Sequence, residues 1–313
     1  MSTNQFLRKA SLLVLRDDQA LNLSDMQFTF HTVQQDVESP NNCSIRVFNL
    51  SKPTTRLIQA EFDKVVINAG YSGQYGEIFQ GDIKQFRMGR LNATDTYLDI
   101  LAADGDFAYN NARVEQTLSA AQNTPAGRLD MVMNALGPYG VTQGHTPPFF
   151  GGVLPNPRGK VAFGMARREL RGLAASNLAT WSIDNGKVNI IPMSGYLPGA
   201  AVVLTALTGL IGLPEQTNEG IKAKCLLNPL ITVGGLVQID NDSINQLVKQ
   251  NPNAAPVAYN QYTGIQYLAS TASDGLYRVY VAEHSGDTRG QDWYTELTCL
   301  AVNPQSNQTV DYG

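Results

Sequence analysis

The sequence predicts a mainly β chain with a mixed α+β insert. Three observations carry this. Short runs with period-two alternation fill both ends of the chain, helical three-to-four spacing is confined to the middle, and one long hairpin pattern occurs in each β region. The expected division is a first β domain over 1–113, a mixed α/β middle domain over 114–200, a second β domain over 201–303 and a mobile polar tail over 304–313.

Met26 to His31 alternates, with Met26, Phe28 and Phe30 on one face, and Cys43 to Phe48 does the same with Cys43, Ile45 and Val47. Pro53 after Ser51-Lys52 opens a short helix, because proline tolerates the first turn. Val65 to Tyr71 reads as a buried strand, Ser72 to Gly76 as a turn, Ile78 to Ile83 and Thr96 to Leu101 as further strands. Closely spaced short strands fit a small antiparallel barrel or sandwich. In the middle region, Glu115 to Ala121 and Val161 to Ala175 read as helices. So does Pro125 to Leu136, ended by Gly137-Pro138. Gly140 to Gly159 is a loop. Asn185-Gly186 within Trp181 to Ile191 signals a two-residue hairpin turn.

Beyond Val203 the β pattern returns. Gly235 to Asp240 is a strand, Asn241 to Tyr262 an extended polar loop, and Leu276 to His284 pairs with Trp293 to Leu300 across a turn at Ser285 to Gly290. Within that hairpin, Tyr280 to His284 and Asp292 to Thr298 echo Phe79 to Ile83 and Asp95 to Leu101, which suggests two similar β domains flanking the insert. The cores should contain Phe28, Phe30, Ile45, Val47, Ile67, Leu98 and Ile100 in the first domain, and Val279, Val281, Leu297 and Cys299 in the second.

Composition narrows the function classes. Charged residues are only 16% of the 313, and the net charge is -4, which argues against a general nucleic-acid or anionic-membrane binder. Neutral Asn, Gln, Ser and Thr supply much of the polarity, which suits a protein packed against other subunits. Cys43, Cys225 and Cys299 are far apart and odd in number, so each reads as a small buried hydrophobe rather than half of a disulfide. The start lacks the order of a signal peptide, and the longest apolar stretch, Ala200 to Leu213, falls short of a membrane span. The expectation is synthesis in a reducing cytoplasm with no membrane anchor.

Chemistry-bearing residues do not assemble into a motif. His31, His145 and His284 have no metal-ligand spacing. Ser285-Gly286-Asp287 beside His284 has hydrolase residue types, yet neighbours on a turn cannot converge as nucleophile and base must. Glu77, Asp82, Asp99, Asp104 and Asp106 could supply the paired carboxylates of a glycosidase, but they read equally as strand faces and turns. Neither Gly70 to Gly76 nor Gly209 to Gly212 is a phosphate loop, and Arg167, Arg168 and Arg171 form a solvated helix face. No catalytic, cofactor-binding or metal residue is assigned.

Val65 to Tyr71, Ile78 to Ile83 and Leu98 to Gly105 resemble the N-terminal domain of the central baseplate hub proteins of tailed bacteriophages. Leu204-Thr205, Thr208 to Pro214, Gly220 to Pro229, Tyr277-Arg278-Val279, His284 to Gly290 and Trp293 to Thr295 resemble the same family's second β domain, in the same order. The resemblance implies a non-enzymatic virion protein with two similar β-barrel domains per chain. Three chains would form a ring whose six faces adapt a hexameric tail tube to a trimeric spike. The implied partners are further copies of the chain, the tail tube or distal tail protein, the spike and the tape-measure protein, with DNA passing through the lumen unbound. The competing readings are a tail-associated cell-wall hydrolase and a hexameric distal-tail or tube protein.

Overall fold

The computed structural model describes residues 7–16, 19–148, 157–217, 219–240, 258–259, 266–267 and 275–302. The tail beyond Asn303 and nearly all of the loop from Asn241 to Tyr262 lie outside these residues. The described chain forms two compact units. One holds the described residues within 7–35, 41–104 and 199–301, and the other those within 36–40 and 105–198 together with Val302.

The first unit begins with β1 (Arg8–Arg16), β2 (Gln19–Asn22), β3 (Phe28–Gln35) and β4 (Asn42–Phe48). Helix α1 (Lys52–Glu61) follows, with the Ser51 hydroxyl accepting from the Thr54 N–H at 3.2 Å and Pro53 in its first turn. Next come β5 (Lys64–Tyr71), β6 (Gln74–Arg90) and β7 (Thr96–Ala103). The β5–β6 turn is tighter than the sequence suggested: Tyr71 pairs Gln74 directly, so only Ser72 and Gly73 turn and Gly76 lies in the strand. Gly70 permits this with φ 148°, where a Cβ would meet the Gln74 carbonyl at 2.1 Å.

The second unit carries α2 (Asp106–Asn111), β8 (Arg113–Leu118), α3 (Pro125–Leu136), β9 (Thr142–Gln143), β10 (Lys160–Met165), α4 (Ala166–Ser176), β11 (Ala179–Asp184) and β12 (Lys187–Pro192). Two helix expectations fail here. Residues 115–118 belong to β8, which pairs antiparallel with β10, and α4 begins only at Ala166. Val114 and Leu118 are the buried residues of β8, four apart, which imitates a helical period. The pairing with β10 decides the matter, as tertiary context overrides a weak local pattern. The β11–β12 turn is as expected, with Asn185 at φ 49° and Gly186 at φ 71°. Leu129, Val132, Leu136, Leu170, Trp181 and Ile190 lie in this unit's core.

The chain returns to the first unit through β13 (Val202–Leu204), β14 (Leu210–Thr217), β15 (Gly220–Leu226) and β16 (Leu236–Ile239). The short β17 (Ala258–Tyr259) and β18 (Gln266–Tyr267) pair with each other, before β19 (Leu276–Asp287) and β20 (Trp293–Ala301). β19 runs through Ser285-Gly286-Asp287, so the turn falls at residues 288–292, later than expected.

Among the described residues the first unit is built on a thirteen-stranded sheet in which one plan appears twice. The first half pairs in the order β1–β5–β6–β7–β4–β3. The second pairs in the order β13–β16–β19–β20–β15–β14. Within this sheet every described pairing is antiparallel except β13–β16, which is parallel. The halves join where β3 pairs β19, from Gln35 opposite Val281 to Thr29 opposite Asp287.

Each half has a core cluster, and that of the first half also takes in Leu227 and Trp293 of the second. Phe28, Phe30, Ile45, Val47, Ile67, Leu98 and Ile100 are all buried in the first. Val279, Leu297 and Cys299 are buried in the second. Val281 is the exception and is only half-buried, because the β19–β20 register shifts between Val279 and Val281 and the extra residue turns it to the other face.

Candidate functional site: a doubled strand face

The candidate catalytic residues do not converge. His31 lies on the exposed face of β3, 3.6 Å from the Glu283 carboxylate. His145 belongs to the second unit, where its backbone N–H donates to Asn189 Oδ1 at 2.8 Å and burial lowers its pKa. His284 is fully inside the first unit, in mid-strand rather than beside a turn, with Nδ1 2.9 Å from Thr295 Oγ1. Among the described residues, no three His, Cys, Asp or Glu side chains are grouped to hold a metal ion.

The candidate carboxylates are spread as well. Asp104 is buried, Asp106 sits in the first turn of α2, and Glu77 and Asp82 lie on β6. The basic face of α4 is less solvated than expected. Arg167 donates to the Tyr109 carbonyl at 2.9 Å and lies over the Tyr109 ring, while Arg171 pairs with Glu38 at 2.5 Å. The three cysteines are buried thiols, and burial pushes their pKa values up, that of Cys225 to about 12.

The arrangement that does recur is a cation, a carboxylate and a tyrosine on the exposed face of the long sheet. In the first half Arg46 on β4 meets Asp99 on β7 through two bonds of 2.6 and 3.0 Å, and its guanidinium lies 4.3 Å from the Tyr97 ring centre. In the second half Lys224 on β15 meets Glu296 on β20 at 2.8 Å and lies 4.4 Å from the Tyr294 ring. The carboxylate hydrogen bond raises the pKa of each cation. Arg46 pairs with Asp99 and Lys224 with Glu296 at matching ladder positions, so the two trios are superposable in register.

Other details repeat. β6 shifts register between Ile83 and Gln85 as β19 does between Val279 and Val281. Each hairpin turn is closed alike, by Leu91 N–H donating to the Asp95 carbonyl at 2.9 Å and by Asp287 N–H donating to that of Asp292 at 2.8 Å. Ile83 therefore corresponds to Val279, and Asp99 to Glu296. The sequence echo had matched the second strands correctly but set the first strands five residues out of step. A signal for the trios existed in the sequence, an acid two residues after a tyrosine in Tyr97-Leu98-Asp99 and Tyr294-Thr295-Glu296. Their cations, 53 and 72 residues away, carried no such signal.

No family model and no curated protein matches the chain. Solved structures do. A tail protein from Neisseria meningitidis superposes with a TM-score of 0.56 at 9% identity, covering 94% of this chain and 97% of that one. The 43 kDa tail protein of prophage MuSo2 from Shewanella oneidensis gives 0.55 at 7% identity, with the same coverages. An Escherichia coli component of the type VI secretion system, described as structurally similar to the T4 bacteriophage tail proteins gp27 and gp5, gives 0.52 at 10% identity over 90% of this chain and 74% of that one. Over nearly its whole length, this chain has the fold of phage tail proteins.

Proposed function

We propose that the chain is a structural, non-enzymatic hub of a phage tail baseplate. The observation that carries this reading is the repeated strand order with its matched trios. Two β domains of one plan, lying within about residues 1–113 and 201–303, can occupy equivalent positions around an axis, and three chains then close a ring of six similar elements. Such a ring presents six similar faces to a hexameric tail tube or distal tail protein while keeping true three-fold symmetry for a trimeric spike. The α/β region, about residues 114–200, has no counterpart in the repeat and is left to lie outside or below the ring, towards the spike. The net charge of -4 fits a lumen through which DNA, and before it a tape-measure protein, passes without adhering. The protein would thus work in the virion. Likeness in fold to phage tail proteins supports the reading.

The test is the mass of the assembly in solution together with a symmetry-resolved image. The expected mass is three times the 34.0 kDa of one chain, with the two β halves superposing on a pseudo-six-fold axis. A six-chain ring would instead indicate a distal-tail or tube protein. Clearing of purified cell wall by this chain alone would overturn the non-enzymatic assignment.

A further inference from the structure

We propose that the outer edge of β6 pairs antiparallel with the outer edge of β14 from a second copy of this chain. The register would follow the one in which β19 pairs β3 inside a single chain, interrupted at the register shift of β14 between Ile211 and Glu215. The proposal rests on the ring reading above and names the surfaces that close the ring.

The argument begins from what the two hairpins lack and have. Before its register shift, β6 pairs β5 as far as Asp82, and before its own shift β19 pairs β16 as far as Arg278. After the shift the two differ. Val281 to Asp287 of β19 receive β3, whereas Gln85 to Arg90 of β6 have β7 on one side and no strand on the other among the described residues. β14, the counterpart of β3, ends the sheet, and its outer edge likewise has no strand among the described residues. An open edge is a template for another strand. One chain thus carries both members of the junction it already makes internally, one on the end strand β14 of its sheet and the other on the stretch of β6 that extends beyond β5. Edges that differ in this way join head to tail, which closes a ring rather than a two-fold pair.

Side chains at the open edges fit the missing neighbour. Met88 holds the ladder position that His284 holds in the second half. With β3 in place His284 is 1% exposed, while Met88 is 58% exposed. Carrying the β19–β3 register across places Gly89 opposite Glu215 and Leu91 opposite Ile211, with two more residues between Ile211 and Glu215 than β3 has between Thr29 and His31, where β14 also slips register against β15. Arg87 then lies diagonal to the exposed Glu215 on one face, a charge match absent if two β6 edges met. Leu91, 58% exposed, meets Ile211, 37% exposed.

The experiment places cysteines at that last pair, in the full chain. Directly opposed antiparallel residues have Cα atoms about 4.5–5.5 Å apart, within reach of a disulfide. Leu91→Cys with Ile211→Cys, oxidised by copper–phenanthroline, should give covalently linked chains up to a trimer on a non-reducing gel. Leu91→Cys with Leu230→Cys, also exposed but off the edge, should not. Separately, Arg87→Glu should weaken self-association about ten-fold while leaving the melting of the chain unchanged. A trimer by mass that does not crosslink at this pair, or crosslinks equally at the control pair, overturns the edge assignment and leaves the ring. A chain that stays single at every concentration overturns both.

Discussion

Lowering the pH from about 7.5 to about 5 should destabilise the first unit through His284. Its imidazole is 1% exposed on β19, opposite Thr32 of β3. Thr295 Oγ1 accepts the Asn228 N–H at 3.1 Å and lies 2.9 Å from Nδ1, so its own proton is placed to bond the neutral ring. Burial pushes the pKa from 6.5 down to about 4. The folded state therefore refuses a proton that the unfolded state takes up below about pH 6.5. Unfolded chains bind more protons throughout that window, so stability is full above it, falls as the pH drops, and stops falling below the folded value.

Each pKa unit is worth about 1.4 kcal/mol, which gives about 3 kcal/mol across the window and about 2 kcal/mol by pH 5. For a unit of this size that is a fall of about 4–8 °C in Tm. The assay is a thermal melt of the wild type and of His284→Asn, whose amide oxygen can accept the Thr295 proton but does not titrate. The variant should start lower and show a shallower pH dependence. Parallel losses in the two proteins would refute the assignment of this slope to His284.

Further expectations concern the cores and the thiols. Leu98→Ala or Leu297→Ala, at 1% and 2% exposure, should each cost about 2–5 kcal/mol in chemical denaturation. Val279→Ala should cost about 2 kcal/mol, and Val281→Ala clearly less, because the bulge between them turns only one inward. Cys43, Cys225 and Cys299 should resist a thiol reagent in the native protein and react on unfolding, since buried protonated thiols are poor nucleophiles.

What the sequence made legible was whatever rests on local pattern. Phe28 and Phe30, or Leu98 and Ile100, alternate strongly enough to show their buried face without a partner strand. Asn185-Gly186 fixes its turn by backbone chemistry alone. Failures came where a distant strand decides. Arg113 to Leu118 is a strand because β10 lies beside it, and Val281 leaves the core because one extra residue in β19 faces nothing on β20. The trios depend on pairings between strands more than fifty residues apart, so their tyrosines and acids were visible but their cations were not.

The junction of β3 with β19 has a consequence for dilution. Both strands belong to one polypeptide, so their meeting is a unimolecular event governed by the tether between them rather than by how many molecules share the volume. Dilution cannot separate these two edges, and only unfolding can. A fused pair of β halves therefore carries this contact intact into any assembly it joins, at concentrations where the same contact between separate chains would dissociate.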